Sequence, residues 1–322
     1  MTATTSGPTF KNRQGWLIFF GVGLVILGLL ALGMAALVTF TALVGSSAQV
    51  PAPMPVRVML PVTLIYVGIG ALFIVLGVGS AMSRRWAQAL TLAFSWMWLI
   101  TGIFSVIIFI LTVNQSLDAL PPEQAAMKPF IVGCMAIMFG FFFIAVPLTL
   151  VLFYRGANVR ATVEAFDPVR RWTDGVPIPL LAFVLWMLLG CVGLLLTSLM
   201  FRALPVGPWV VEGLAVFALI LAFAAVLLFI GIGSLKRMKA AWWTALALFT
   251  SGVVYSAIFL AKPNVTLWYD AMDIPVDPRQ LEIMEEMYSG PFFLIAMGIL
   301  WVAYFGFLFY LRRYFFGQRT IS

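Results

Sequence analysis

The chain has 322 residues, of which 63% are hydrophobic and only 10% are charged, and its net charge is +7. Soluble domains carry about 25% charged residues, so this composition excludes a soluble protein and indicates a membrane protein with several spans. Histidine is absent, and the two cysteines, Cys134 and Cys191, lie in apolar runs. A disulfide framework, a metal site, a cofactor and enzymatic activity are therefore not expected.

Eight apolar runs follow a short polar tail at residues 1–14, and each reaches the roughly 20 residues that a helical span requires. The runs fall near 15–44, 57–82, 87–113, 129–154, 177–202, 208–234, 241–261 and 291–311. Only residues 83–85 separate the second and third runs, and only residues 236–239 separate the sixth and seventh. Both pairs are predicted to form tight helical hairpins.

The basic residues predict the orientation of these spans. With a cytoplasmic N-terminus, most of the 19 lysines and arginines lie inside, together with only Glu164, Asp167 and Asp174 of the 12 acidic residues. The positive-inside rule then predicts that the N- and C-termini are cytoplasmic. We expect this charge to contact anionic lipids at the cytoplasmic face and not nucleic acid.

The two halves of the chain resemble each other. The Gly-x-Gly-Ser elements at 77–80 and 231–234 both precede a basic turn, and Trp86 and Trp242 follow, with the second turn predicted to be longer. Four spans per half give both halves the same orientation, so parallel repeats are predicted, with an axis along the membrane normal. The repeats are predicted at 15–154 and 177–312, followed by a tail at 313–322.

The linker at residues 155–176 is the longest polar segment on the predicted cytoplasmic side. Arg160 and Glu164 are one helical turn apart, and Pro168 should end this helix near Asp167. One interpretation is an amphipathic linker that lies on the inner leaflet. The alternative is a docking surface for a membrane or cytoplasmic protein partner, with the following candidate residues: Asp167, Pro168, Arg171, Trp172 and Asp174.

Acidic residues mark the predicted outer face. Glu212 lies about four residues into the sixth run, and the loop at 262–290 holds several acids beside a helix predicted from Arg279 to Tyr288. Their spacing matches no known cation-binding loop. The candidate outer-face site comprises Glu212, Asp270, Asp273, Glu285 and Glu286.

The segment around the linker resembles one found in uncharacterised polytopic membrane proteins of bacteria. The resembling residues are Phe153-Tyr154-Arg155, Val159, Ala161-Thr162, Glu164, Asp167-Pro168, Arg171-Trp172-Thr173-Asp174, Pro177 and Pro179. Members of that group often carry cysteines where this chain has Val163 and Val176, so the resemblance implies no thiol chemistry here. The resemblance implies a location in a bacterial plasma (inner) membrane, but it implies no activity.

These observations predict an all-α membrane protein of eight transmembrane helices in two parallel four-helix repeats. The spans contain almost no ionisable residues, which argues against ion-coupled transport. We expect a structural, accessory or scaffold role without catalysis. The alternative is a transporter or flippase for an uncharged or lipidic substrate, with a site between the two repeats. A wet cavity between the halves would favour transport, and a dry interface would favour a scaffold.

Overall fold

A computed structural model describes residues 10–45, 56–118, 127–201, 203–206, 209–261, 265–272, 276 and 278–317, and nearly all of them are helical. The helices are α1 (Gln14–Gly45), α2 (Val56–Ala81), α3 (Arg85–Asp118), α4 (Lys128–Phe139), α5 (Val146–Tyr154), α6 (Ala157–Phe166), α7 (Ile178–Thr197), α8 (Leu214–Leu235), α9 (Lys239–Ala261), α10 (Val265–Met272), α11 (Pro278–Ser289) and α12 (Pro291–Phe316). A π-helical turn at Gly140–Ala145 joins α4 to α5, and a short 3₁₀ helix at Trp172–Gly175 precedes α7.

Within the described residues, eight helical segments are long and apolar enough to cross a bilayer, so the chain is a multi-pass membrane protein. They are α1, α2, α3, the continuous segment from α4 to α5, α7, α8, α9 and α12. Each coincides with one of the eight apolar runs, which confirms the predicted number and order of spans. The helix predicted from Arg279 to Tyr288 is also confirmed, as α11.

The all-α fold is interrupted by one pair of short strands in the described residues, between the fifth and sixth spans. Here α7 ends at Thr197, and α8 begins only at Leu214. Strands β1 (Ala203–Val206) and β2 (Trp209–Glu212) pair antiparallel in the intervening segment. Valines favour strands, and Gly213, with a φ of 62°, allows the sharp turn into α8. The predicted start of the sixth span near residue 208 is therefore corrected.

Two short turns connect α2 to α3 and α8 to α9, and both have the hydrogen bonds of a Schellman motif. In the first turn, Ser83 has a φ of 52°, and the Arg84 backbone N–H donates to the Gly79 carbonyl at 2.9 Å. In the second turn, Arg237 has a φ of 53°, and the Met238 N–H donates to the Gly233 carbonyl at 2.8 Å. These bonds stabilise the two predicted helical hairpins.

The prediction that the second turn is longer is wrong. The first hairpin runs from the end of α2 at Ala81 to the start of α3 at Arg85, and the second runs from Leu235 to Lys239. The number of connecting residues is the same. The alignment of Trp86 with Trp242 suggested a longer turn because the two tryptophans lie at different distances from their turns.

Two main clusters of buried side chains form the core, one in each half of the chain. The first includes Leu17, Phe73 and Tyr154, and the second includes Phe183, Trp242 and Leu308. A small third cluster joins the halves, where α3 meets α7. It consists of Ala89, Ala93, Leu181 and Ala182.

Candidate functional site

The linker helix α6 packs into the core of the first half. Val159 and Val163 are buried in its main cluster, and the Thr162 side chain is fully buried. The Thr162 hydroxyl accepts a hydrogen bond of 3.0 Å from the Arg13 N–H. Helix α6 ends at Phe166, as Pro168 predicts. This segment is therefore held by the rest of the protein, and it lies at the same end of the helices as residue 13.

Asp167 follows α6 and is only 3% exposed. Its carboxylate lies 4.0 Å from an Arg84 guanidinium nitrogen and 3.5 Å from one of Arg171, and it accepts a 3.3 Å bond from the Arg85 N–H. Arg85 is the first residue of α3, where backbone N–H groups lack helical partners and favour a negative charge. Asp167 thus caps α3 and neutralises the turn before it.

Arg85 forms ion pairs with the other two carboxylates of the linker. Its Nε lies 3.2 Å from Asp174 Oδ2, and one of its terminal nitrogens lies 3.5 Å from Glu164 Oε1. Glu164 also accepts a 3.0 Å bond from Arg160, which confirms the predicted pair. The Arg171 N–H donates to Asp174 at 2.8 Å. Three candidate partner-binding residues, Asp167, Arg171 and Asp174, therefore contact one another or the first hairpin.

The linker also contacts the second half. An Arg237 guanidinium nitrogen donates a 3.0 Å hydrogen bond to the Gly175 carbonyl, so the linker contacts both hairpin turns. The remaining candidates, Pro168 and Trp172, are exposed, and Trp172 is 60% exposed. We call the end of the helices that carries residues 10–13, both turns and the linker the basic end.

Two adjoining cavities lie where the halves meet at the basic end. The polar pocket, of about 430 Å³, lies between the start of α3 and the linker and is lined by Arg85, Gln88, Arg155, Arg160, Glu164 and Asp174 among others. The inter-half groove, of about 340 Å³, lies between α3, α7 and α12, and its walls include Leu92, Trp96, Met97, Ile100, Ile178, Trp186, Phe307 and Tyr310. Leu92 and Ile178 line both cavities.

The candidate outer-face residues lie on separate elements. Glu212 is exposed on β2, where it ends the strand, and is not inside the sixth span as predicted. Asp270 and Glu286 are exposed on α10 and α11. Glu285 accepts a 3.1 Å bond from the Val265 N–H and so caps α10. Asp273 lies outside the described residues.

Burial also shapes the chemistry of α11. It raises the pKa of the Tyr288 hydroxyl above its ordinary value, and the neighbouring Tyr269 adds to this effect. Tyr288 therefore stays neutral at physiological pH. Among the described residues, no three acidic, cysteine or histidine side chains come together as metal ligands would. The geometry of this face is that of caps and aromatic packing.

Sequence reasoning missed Arg84, Arg85 and Gln88 as parts of the site. The two arginines were interpreted only as signals for membrane orientation. Gln88 donates a 2.7 Å bond to the Tyr154 carbonyl, between α3 and α5. A polar residue so early in an apolar run is a signal that could have identified it. The aromatic walls of the groove had no such signal.

Comparison with known proteins returns no relative that could assign this site. No family model, no curated protein and no solved structure matches the chain. The function is therefore inferred from the geometry of the linker and the two cavities.

Proposed function

We propose that the protein is a non-catalytic structural or accessory component, or scaffold, of a bacterial plasma (inner) membrane. The observation that carries the proposal is the position of the linker, which contacts both hairpin turns. Asp167 contacts Arg84 of the first turn, and Asp174 contacts Arg85 directly after it. The Gly175 carbonyl accepts a hydrogen bond from Arg237 of the second turn. A segment bonded to both halves opposes the relative motion that alternating access requires.

The contact between the halves supports the same proposal. Ala89 and Ala93 of α3 pack against Leu181 and Ala182 of α7, and all four are buried. Small residues allow close packing of helices in membranes. The groove beside this contact is lined by apolar and aromatic side chains and Pro179. A dry contact of this kind suits a scaffold better than a path for polar substrates.

The proposed architecture is a duplication of a four-helix unit, with the two copies parallel. It is supported by matching contacts after the two turns. A Cβ added at Gly79 would lie 2.6 Å from that of Ala87, and one added at Gly233 would lie 2.7 Å from that of Ala241. The separation along the chain between Gly79 and Gly233 is the same as that between Ala87 and Ala241.

Hydrogen bonds between helices repeat at that same separation. Gln88 of α3 donates to the Tyr154 carbonyl at 2.7 Å, and Trp242 of α9 donates to the Leu308 carbonyl at 3.0 Å. Gln88 corresponds to Trp242 and Tyr154 corresponds to Leu308. The paired residues differ chemically, but each pair joins the third span of its half to the fourth.

The proposed topology places the basic end in the cytoplasm, with both chain termini. The Lys11 N–H donates to the Asn158 side chain at 3.3 Å, and the Lys239 ammonium lies 5.6 Å from the centre of the Phe316 ring. Residues near both termini thus contact the basic end, and the positive-inside rule assigns such an end to the cytoplasm.

A second candidate function is transport or flipping of a lipidic molecule. The inter-half groove favours it, because an apolar cavity between two halves is where such a substrate would bind. This function requires the halves to move against each other. The scaffold proposal requires them to stay together.

Distances between spin labels distinguish these two functions. We choose one exposed pair at the basic end, Ala157 and Ala240, and one at the opposite end, Met127 and Leu214. Each pair is replaced by cysteine in a background without Cys134 and Cys191, and distances are measured in nanodiscs by double electron–electron resonance. The scaffold proposal predicts one narrow distance for each pair. Two populations that change in opposite directions at the two ends would instead establish alternating access.

Chemical labelling tests the topology separately. Arg170 and Asp270 are both exposed, and they lie on opposite sides of the membrane in the proposed orientation. A membrane-impermeant maleimide should label Asp270→Cys and not Arg170→Cys in intact spheroplasts. Labelling of both or of Arg170→Cys alone would overturn the orientation.

A further inference from the structure

The two adjoining cavities have the shape and chemistry of an amphiphile. The polar pocket opens at the basic end, and the inter-half groove continues from it through Leu92 and Ile178. Along α3, the groove extends from Leu92 to Ile100, which is roughly 12 Å at 1.5 Å per residue. One cavity is therefore polar at the membrane surface, and its neighbour is apolar and extends toward the membrane interior.

The inter-half groove is suited to a hydrocarbon chain. Its walls include the rings of Trp96, Trp186 and Phe307. Trp96 is 38% exposed and Tyr310 is 46% exposed, so the groove is open on the side that faces lipid. Water needs two to four polar partners in a cavity, and these walls offer almost none. An acyl chain meets no such requirement.

The polar pocket has a positive charge in excess. Its charged side chains are Arg85, Arg155, Arg160, Glu164 and Asp174. Arg85 forms ion pairs with both carboxylates, and Arg160 forms one with Glu164. Arg155 makes no ion pair with any residue that the structure describes, and it is exposed at the end of α5. A single negative charge would balance it.

We propose that the polar pocket and the inter-half groove together bind one anionic phospholipid from the leaflet at the basic end. The phosphate contacts Arg155, with Arg160 beside it, because a guanidinium matches phosphate oxygens in geometry and charge. One acyl chain occupies the groove between α3, α7 and α12. The lipid thus lies against both halves. This site goes beyond the proposed function, since it requires neither catalysis nor a particular degree of motion.

Native mass spectrometry of the full-length protein tests the site. The probes are phosphatidylglycerol and phosphatidylcholine with identical acyl chains, titrated into delipidated protein in detergent. We expect the first bound molecule of phosphatidylglycerol to bind more tightly than phosphatidylcholine. Arg155→Gln should weaken phosphatidylglycerol binding about tenfold, because it removes one charge-assisted contact. The matched control is Arg170→Gln, an exposed arginine outside the pocket, and it should leave binding unchanged.

Two further measurements examine the acyl chain and the headgroup of the lipid separately. Met97→Trp fills the inter-half groove and should weaken the binding of both lipids, while its unfolding temperature shows that it remains folded. Inorganic phosphate should not displace the lipid at millimolar concentration, because the acyl chain contributes to binding. Equal losses for Arg155→Gln and Arg170→Gln would reduce the effect to general surface charge and overturn the proposal. Full displacement of the lipid by phosphate, or no effect of Met97→Trp on lipid binding, would exclude an acyl chain in the inter-half groove.

Discussion

The first two helices of each half pack in different ways. In α1 and α2, the backbones touch: a Cβ added at Gly21 would lie 2.6 Å from the Gly77 carbonyl oxygen, and one added at Gly28 would lie 2.7 Å from that of Gly70. These glycines are seven residues apart on each helix, so they fall on one stripe. Such a stripe needs no side chain, because two backbones form the contact.

In α7 and α8, side chains form the corresponding contact. A Cβ added at Gly231 would meet the Leu188 side chain at 3.0 Å and the Met187 Cβ at 3.6 Å, and no backbone atom is among these contacts. The Cys191 thiol donates a 3.3 Å bond to the Ala224 carbonyl. Ala224 and Gly231 have the same seven-residue spacing as Gly70 and Gly77. Two neighbouring spans are thus held together by backbone contact in α1 and α2, and by side-chain contact in α7 and α8. The two should differ in how they tolerate added volume.

Valine in place of the paired glycines should have the largest effect. For Gly77→Val we expect a loss of roughly 3 kcal/mol in the free energy of unfolding, because the new atoms meet the Gly21 carbonyl and the Val25 backbone nitrogen, which cannot move aside. For Gly231→Val we expect roughly 1 kcal/mol, because the Leu188 side chain can change rotamer. Tryptophan fluorescence during reversible unfolding in mixed micelles measures both.

The control for this pair is Gly23→Val, where an added Cβ would meet no atom within 4 Å. We expect its effect to stay within about 0.5 kcal/mol. Equal losses at Gly77 and Gly231 would contradict the distinction between backbone and side-chain contact.

The next largest difference in unfolding free energy is expected between the contacts that the linker makes with the first turn and with the second turn. Asp167→Asn removes the negative charge beside Arg84, Arg171 and the start of α3, and we expect a loss of about 2 kcal/mol. This value is kept low because both arginine side chains are about 40% exposed, so solvent screens them. Arg237→Gln loses one exposed bond to Gly175 and should cost under about 1 kcal/mol. A larger loss for Arg237→Gln, in the same unfolding assay, would place the main contact on the second turn instead.

The smallest expected effect is the coupling energy between the two interhelical hydrogen bonds of Gln88 and Trp242. Gln88→Met and Trp242→Phe each remove one donor and keep most of the side-chain volume, so each should cost about 1 kcal/mol. If the two halves have separate cores, the double variant should lose the sum of the two within about 0.5 kcal/mol. A marked departure from additivity in the unfolding free energy would show that the contact between α3 and α7 couples the cores.

Much of the fold was predictable because its signals are local. The length of each apolar run predicted the eight spans, and the short basic segments predicted both hairpins. Pro168 predicted the end of α6. The strands β1 and β2 were missed because Trp209, Val210 and Val211 are as apolar as the span that follows them, so hydropathy could not separate strand from helix.

The candidate site was less predictable because distant segments build it. Asp167, Arg171 and Asp174 were grouped as a surface for a partner, but the structure brings Asp167 and Asp174 to Arg84 and Arg85, which are about 80 positions earlier in the chain. No local pattern indicates which loops meet. The similar hydrogen bonds of Gln88 and Trp242 were hidden in the sequence because the two side chains have only a donor N–H in common.

The short turn at Arg237 also affects how the protein is made. Helix α9 is the least apolar of the eight spans, and α8 is the most apolar. Only three residues connect them, so α9 cannot remain in water far from the bilayer once α8 has entered it. We therefore expect the two helices to leave the translocation machinery as one unit, in which the strongly inserting helix carries the weak one into the membrane.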